Sequence, residues 1–164
     1  MIVICQRMHT ECERIADQLN STINGEAWFG DSLREILESV TAKQAEAHPI
    51  ARAHSIWELV VHVEAWVNFG LGAMEGKPIP AWPAMPKELD WPLVTQTSDA
   101  AWKQATKSFF ASHAKLVEAI KGFSDKRLEA TVPGRKYDFY RLFQGTTQHA
   151  VYHGGQIALL KKSS

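Results

Sequence analysis

The residues of this chain with most capacity for chemistry are histidines. His149 and His153 stand four apart in the segment QHAVYHGGQIALLKK (148–162). On an α-helix that spacing brings both side chains to one face, with Cβ atoms about 5–6 Å apart. Two imidazoles so placed can clamp one divalent ion, whose nitrogen ligands sit at about 2.0–2.1 Å, without bending the backbone. Direction matters as much as spacing. At about 100° per residue, His153 falls in the middle of a stripe holding Leu142, Phe143, Thr146, Ala150, Ile157 and Leu160, and His149 sits about 60° to one side. The pair faces inward.

A third candidate, His62, occupies the most apolar stretch, IWELVVHVEAWVNFGLGAM (56–74), flanked one turn away by Leu59, Trp66 and Phe69. An unpartnered imidazole there is costly. Alone it reads as a core histidine bonded to a backbone carbonyl; beside the pair it completes a three-histidine site inside a helical bundle. Three protein ligands leave a position open for water or substrate, as in catalytic rather than structural metal sites. The ion would be a Lewis acid that lowers the pKa of a bound thiol or activates water, and three histidines do not choose between these.

Other side chains carry less. Gln156, three residues after His153, shares its face and is read as a support for that ligand. His113 lies near the buried stripe of the third helix and is read first as a packed or surface histidine, second as a weaker support that approaches the site. His9, His48 and His54 fall near helix ends or turns and are read as solvated, while Glu58 and Glu64 point to a cap or to solvent. Cys5 and Cys12 have no local base, so they read as ordinary thiols.

The elements that must position these groups are helices, because no stretch alternates apolar and polar residues for long. A first helical region is expected over Met8–Val40, broken near Asn24-Gly25 and restarting at Ser32, where Ser32 and Glu35 have capping-box spacing. His48-Pro49 ends it. Ser55 and Glu58 form a second capping box before a helix from Ile56 to about Met74, which Gly76 and Pro78 terminate. Residues 76–97 hold five of the seven prolines and two tryptophans, predicting a long extended connection pinned to the bundle by its aromatics. A crossover there leaves its flanking helices roughly parallel and disfavours simple up-down-up-down connectivity. A third helix begins near Ser98-Asp99 and stops at Gly122; a fourth begins near Asp138 and ends in Lys161-Lys162, which suit the negative pole of its dipole. Gly154-Gly155 inside the last helix predict a close approach by another helix or a ligand. The expected fold is all-α: a single four-helix bundle domain over 1–164, with a long crossover loop between the second and third helices.

Composition narrows the function. With 164 residues, 45 % of them hydrophobic and 22 % charged, the chain has the make-up of one globular domain that needs no metal or disulfide merely to fold. Basic and acidic side chains balance at 18 each, so no global field attracts nucleic acid or anionic membrane, and neither is expected as a partner. The halves differ: 6 basic and 11 acidic residues up to position 82, 12 and 7 after it, which reads as weak mutual attraction within one fold. Two cysteines fit the reducing cytoplasm better than a disulfide scaffold. The apolar patch Met1–Cys5 is too short for a signal-peptide core or a membrane span.

The segments HSIWELVVHVEAW (54–66), DWPLV (90–94), NGEAWFG (24–30) and above all QHAVYHGGQIALLKK together resemble the DinB/YfiT-like superfamily of four-helix metalloenzymes, and the resemblance covers nearly the whole chain. It implies that a histidine of the second helix and an H-x-x-x-H pair of the last bind a divalent metal, nickel or zinc; position by position these are His62, His149 and His153. It further implies a low-molecular-weight thiol and an electrophile as partners, since relatives include bacillithiol-dependent S-transferases and mycothiol-dependent isomerases, and a homodimer paired through helix faces. The chain departs from the family pattern at Phe29, where relatives often have a histidine, and at Ala150, where they often have an aspartate. Three outcomes stay open: a thiol transferase or metal-dependent hydrolase, a stress-related protein that binds metal or a small ligand without turnover, and a scaffold without metal.

Overall fold

Four helices open on a side chain that closes their first turn, and in each the residue three positions on answers the cap's own amide. Thr10 with Glu13 starts α1 (Glu11–Asn24), Ser32 with Glu35 starts α2 (Leu33–Leu37), Thr41 with Gln44 starts α3 (Ala42–Glu46) and Ser55 with Glu58 starts α4 (Ile56–Met74). The remaining elements are α5 (Lys87–Asp90), α6 (Asp99–Lys121, capped by Ser98), a 3-10 turn at Asp125–Arg127 and α7 (Phe139–Ser163). This computed structural model describes residues 9–81 and 83–163. Within them the fold is all-helical apart from one isolated antiparallel bridge, Thr131 with Asp138. No helix among the described residues is long and apolar enough to cross a membrane.

Each of α1 and α4 packs on both α6 and α7. Trp57 meets Trp102, Glu64 accepts hydrogen bonds from Ser108 (2.5 Å) and Ser112 (2.9 Å), and Gly70 faces Leu116. These contacts climb α4 and α6 in the same direction, so the two helices are parallel. The fully buried Phe109, Phe143, Leu19, Ile56 and Ile157 supply large apolar side chains from all four long helices to one core. Gly154 lies under Leu33, whose Cδ1 would stand 3.3 Å from an added Cβ, so α2 is the element whose approach this glycine permits.

Several boundaries differ from the sequence expectation. The first helix begins at Glu11, where Thr10 caps it, and Met8, the Met1–Cys5 patch and Cys5 lie outside the described residues, as does Trp82 of the proline-rich segment. Val40 is not helical: α2 ends at Leu37, and the Val40 carbonyl instead accepts the Trp102 indole N–H at 2.7 Å before Thr41 caps α3. The 76–97 segment is not wholly extended either. It buries Ile79, Met85 and Asp90, and it coils into α5 just before Trp91. Glu64 is half-buried rather than simply solvated, because the Ser108 and Ser112 hydroxyls across the interface hold its carboxylate.

Candidate metal centre

His62 sits near the middle of α4, and His149 and His153 lie one turn apart on α7, where the two helices pack on each other. One ring nitrogen from each of the three lies within 4.8 Å of the others. His62 and His153 are buried and His149 half-buried.

The hydrogen bonds fix which nitrogen is available. His62 Nδ1 lies 2.6 Å from the Asp90 carbonyl oxygen, and a carbonyl only accepts, so Nδ1 carries the proton and Nε2 keeps a bare lone pair. His153 Nδ1 lies 2.7 Å from Gln156 Oε1, another acceptor, with the same result. His149 Nε2 then stands 3.0 Å from His62 Nε2. Two nitrogens bound at about 2.0–2.1 Å to one ion are themselves about 3 Å apart, so this spacing fits a shared metal. An ion between them would also draw on the lone pairs that the Asp90 carbonyl and Gln156 leave bare. The donor set, three neutral imidazoles two of which are oriented from behind, could hold a divalent transition-metal ion.

Neutrality is enforced by the surroundings. Burial, followed by the neighbouring His153 and His62, pushes His149 down to about 3. Burial also lowers His62, against a pull upward from its bond to the Asp90 carbonyl, and lowers His153 against the bond to Gln156. Imidazoles that resist protonation remain ligands.

Three neighbours were hidden from sequence periodicity. Trp91 stacks on His62 with ring centroids 3.8 Å apart and planes at 5°, and on its other side it stacks on His54 at 3.6 Å and 10°. His54 is therefore not a purely solvated residue; it closes a sandwich over the ligand, and its Nδ1 also approaches Glu58. Asp90 contributes twice, through its carbonyl to His62 and through Oδ1, which accepts the Trp66 indole N–H at 2.8 Å. The tetrad D-W-P-L in the proline-rich stretch was the available signal, visible as a motif and silent as to contact. Gln156 stands where its spacing predicts. His113 does not touch the three ligands: it is buried in the core, its Nδ1 bonded at 2.7 Å to the Phe109 carbonyl one turn back, and it senses the centre only as a charge near His149. His9 and His48 are exposed, as expected.

Beside the histidines lies a cleft of about 1140 Å³, onto which His62, His149 and Trp66 open. Another wall is the start of α7 and the residues just before it, Lys136, Tyr137 and Asp138. Ala150 is fully buried, and Phe29 is 47 % exposed in the loop after α1. The family model described as the DinB superfamily matches residues 27–157. No curated protein and no solved structure gives a significant match.

Proposed function

The chain belongs to the DinB superfamily, and on that premise we propose that His62, His149 and His153 hold one divalent metal ion, nickel or zinc, at which a low-molecular-weight thiol is activated for transfer to an electrophile. The observation that carries the metal is the 3.0 Å approach of the His62 and His149 Nε2 atoms while Asp90 holds the proton of His62 on Nδ1. A divalent ion bound there supplies Lewis acidity, lowering the pKa of a thiol that joins it. The protein does the rest. The Asp90 carbonyl and Gln156 Oε1 hold two rings in the ligating tautomer, Trp91 shields one face of His62 from water, and burial keeps the imidazoles unprotonated. The cleft beside His62 and His149 gives a small molecule its way in. The choice of a thiol over water rests on the resemblance of the sequence motifs, and a hydrolase would use the same residues.

The same reading takes the four long helices as the family's four-helix bundle, crossed over by residues 76–97, with the chain as one domain. It places the protein in the reducing cytoplasm and pairs it as a homodimer, for which exposed Tyr152 and Leu159 on α7 offer apolar surface. A second reading, a metal- or ligand-binding protein without turnover, is favoured by one observation: buried Ala150 and outward Phe29 bring no proton-transfer group to the cleft.

Elemental analysis of untagged protein, wild type beside His153→Ala, tests the metal. Near one transition-metal ion per wild-type chain and almost none in the variant is the expected result; none in either, with no uptake of added nickel or zinc, refutes it. Saturable thiol-dependent loss of monochlorobimane, abolished in His153→Ala, separates the enzyme from the binder.

A further inference from the structure

Gly145 stands inside α7, one turn before His149, and nothing in the fold requires a glycine there. Glycine inside a helix weakens it, because no other residue loses as much backbone freedom on folding. Three other helical glycines have a packing reason: Gly70 lies against Leu116, Gly72 against Lys77 and Gly154 under Leu33. Gly145 has none. Its φ is not positive, and a Cβ added to it meets no atom within 4 Å. What it borders is the cleft, whose wall it forms together with His62 and His149. A bare backbone in such a wall is where a ligand can come closest.

The neighbouring walls are aromatic and held in place. Asp90 Oδ1 accepts the Trp66 indole N–H at 2.8 Å, and the Trp66 ring meets those of Phe69 and His149 at steep angles, with centroids 5.5 and 5.9 Å away. Tyr137 and Tyr140 also line the cleft, on a segment tied down through its backbone. The Ile79 amide donates to the Pro133 carbonyl at 3.0 Å, the Val132 amide to the Tyr137 carbonyl at 2.9 Å and the Tyr140 amide to the Leu128 carbonyl at 2.9 Å. Walls fixed in advance surrender little freedom when a ring settles against them. The charged side chains of the lining are Lys136 and Arg141 against Asp90 and Asp138, two of each sign, so the cleft demands no net charge of its ligand.

We propose that the cleft takes a neutral, planar aromatic group, which lies against the bare backbone at Gly145 among Trp66, Tyr137 and Tyr140, and that Gly145 determines this specificity. Aromatic pairs gain more than their buried area alone supplies, and a side chain at 145 would occupy the space the ring needs. This names the chemical class of the electrophile for the site proposed above and rests on that reading only for the reaction. Binding of the ring asks nothing of the metal.

Calorimetric titration of the full chain as purified, at neutral pH, with 2-naphthol and with decahydro-2-naphthol, its saturated and non-planar analogue, tests this. 2-Naphthol is expected to bind roughly 10-fold more tightly than the analogue, the worth of one or two aromatic contacts. Gly145→Ala should weaken 2-naphthol several-fold and Gly145→Leu by roughly 10-fold or more, as expected of overpacking. Gly155, exposed on the same helix and likewise without an atom within 4 Å of an added Cβ, supplies the matched control. Gly145→Ala and Gly155→Ala remove the same helical handicap, so both should raise the Tm, while Gly155→Ala should bind 2-naphthol as wild type does. Weaker binding by a more stable protein is not a loss of fold. No binding of 2-naphthol by wild type, equal affinity for the saturated analogue, or unchanged affinity in Gly145→Leu overturns the proposal. The same titrations in the His153→Ala background separate the two readings. Binding that follows Gly145 there, in protein without metal, supports the aromatic cleft whatever becomes of the metal centre. Binding that vanishes with His153 and ignores Gly145 is the naphthol hydroxyl held by the metal; it refutes the cleft proposal and leaves the metal centre standing.

Discussion

Replacing Gln156 by leucine isolates what it means for a ligand to be held from behind. Gln156 Oε1 is the acceptor for His153 Nδ1–H at 2.7 Å, and His153 is only 6 % exposed, so water has little access to take over that bond. Without the acceptor the imidazole loses both its orientation and its tautomer, since the proton is then free to sit on Nε2, the atom that the proposed metal would need. Loss of such a supporting partner costs 10- to 100-fold in metal affinity, or about 1.4–2.7 kcal/mol. The fold itself loses one hydrogen bond, about 1 kcal/mol. The signature is therefore a metal-affinity loss larger than the loss of stability. Competition for zinc against a chelating dye reads the first, urea unfolding of metal-free protein the second. Gln156→Glu, which keeps an acceptor and adds charge, should hold zinc at least as tightly as wild type. If Gln156→Leu binds zinc within about threefold of wild type, a difference under 1 kcal/mol, His153 is positioned by something else and the reasoning fails.

Two further predictions concern the frame around the centre. Gly134 has φ +77° and stands against the Ile79 backbone, so Gly134→Ala adds a strained conformation to a 2.6 Å clash and should cost about 2–3 kcal/mol; an unchanged melting temperature would show that the Pro133–Ile79 junction yields freely. His113, driven down to about 4 by burial from its ordinary 6.5, binds a proton in the unfolded chain before it does in the fold. Its contribution to stability is whole above pH 6.5 and is lost as pH falls toward 4, by about 3 kcal/mol in all. His113→Leu should flatten that slope in metal-free protein, leaving the part due to the ligand histidines; identical pH dependence of urea unfolding in wild type and variant would contradict it.

What the sequence disclosed about the centre followed from what helices make periodic. His149 and His153 share a face because four residues nearly complete a turn, and the Ser55–Glu58 box placed His62 on an apolar helix before any contact was known. The partners of those ligands come from the least periodic stretch, where Asp90 reaches His62 across 28 residues. No local pattern encodes such a closure; it depends on α5, a single turn formed among prolines, and on Trp91 finding an aromatic slot between two imidazoles. Glu64 was misread for a related reason. A carboxylate in a helix looks solvent-bound until the facing helix presents hydroxyls, and Ser108 and Ser112 carried no signal of that role. Val40 continued the apolar spacing of α2, but Thr41 and Gln44 were better matched to each other as a new cap than to another turn of the old helix.

The parallel course of α4 and α6 has a kinetic consequence. In a helical hairpin, contacts beside the turn close short loops and the rest zip up behind them at little added entropy. Here no short loop exists: the bonds from Ser108 and Ser112 to Glu64 span 44 and 48 residues, and the contacts above and below them span nearly as many. The first contact between the two helices bears the whole closure entropy of a loop that long, about 3 kcal/mol in its length-dependent part, and the later ones almost none. Docking of α6 on α4 is thus a single all-or-none event. The transition state for folding should already contain that interface, and neither end of it can peel away cheaply from its partner once it has formed.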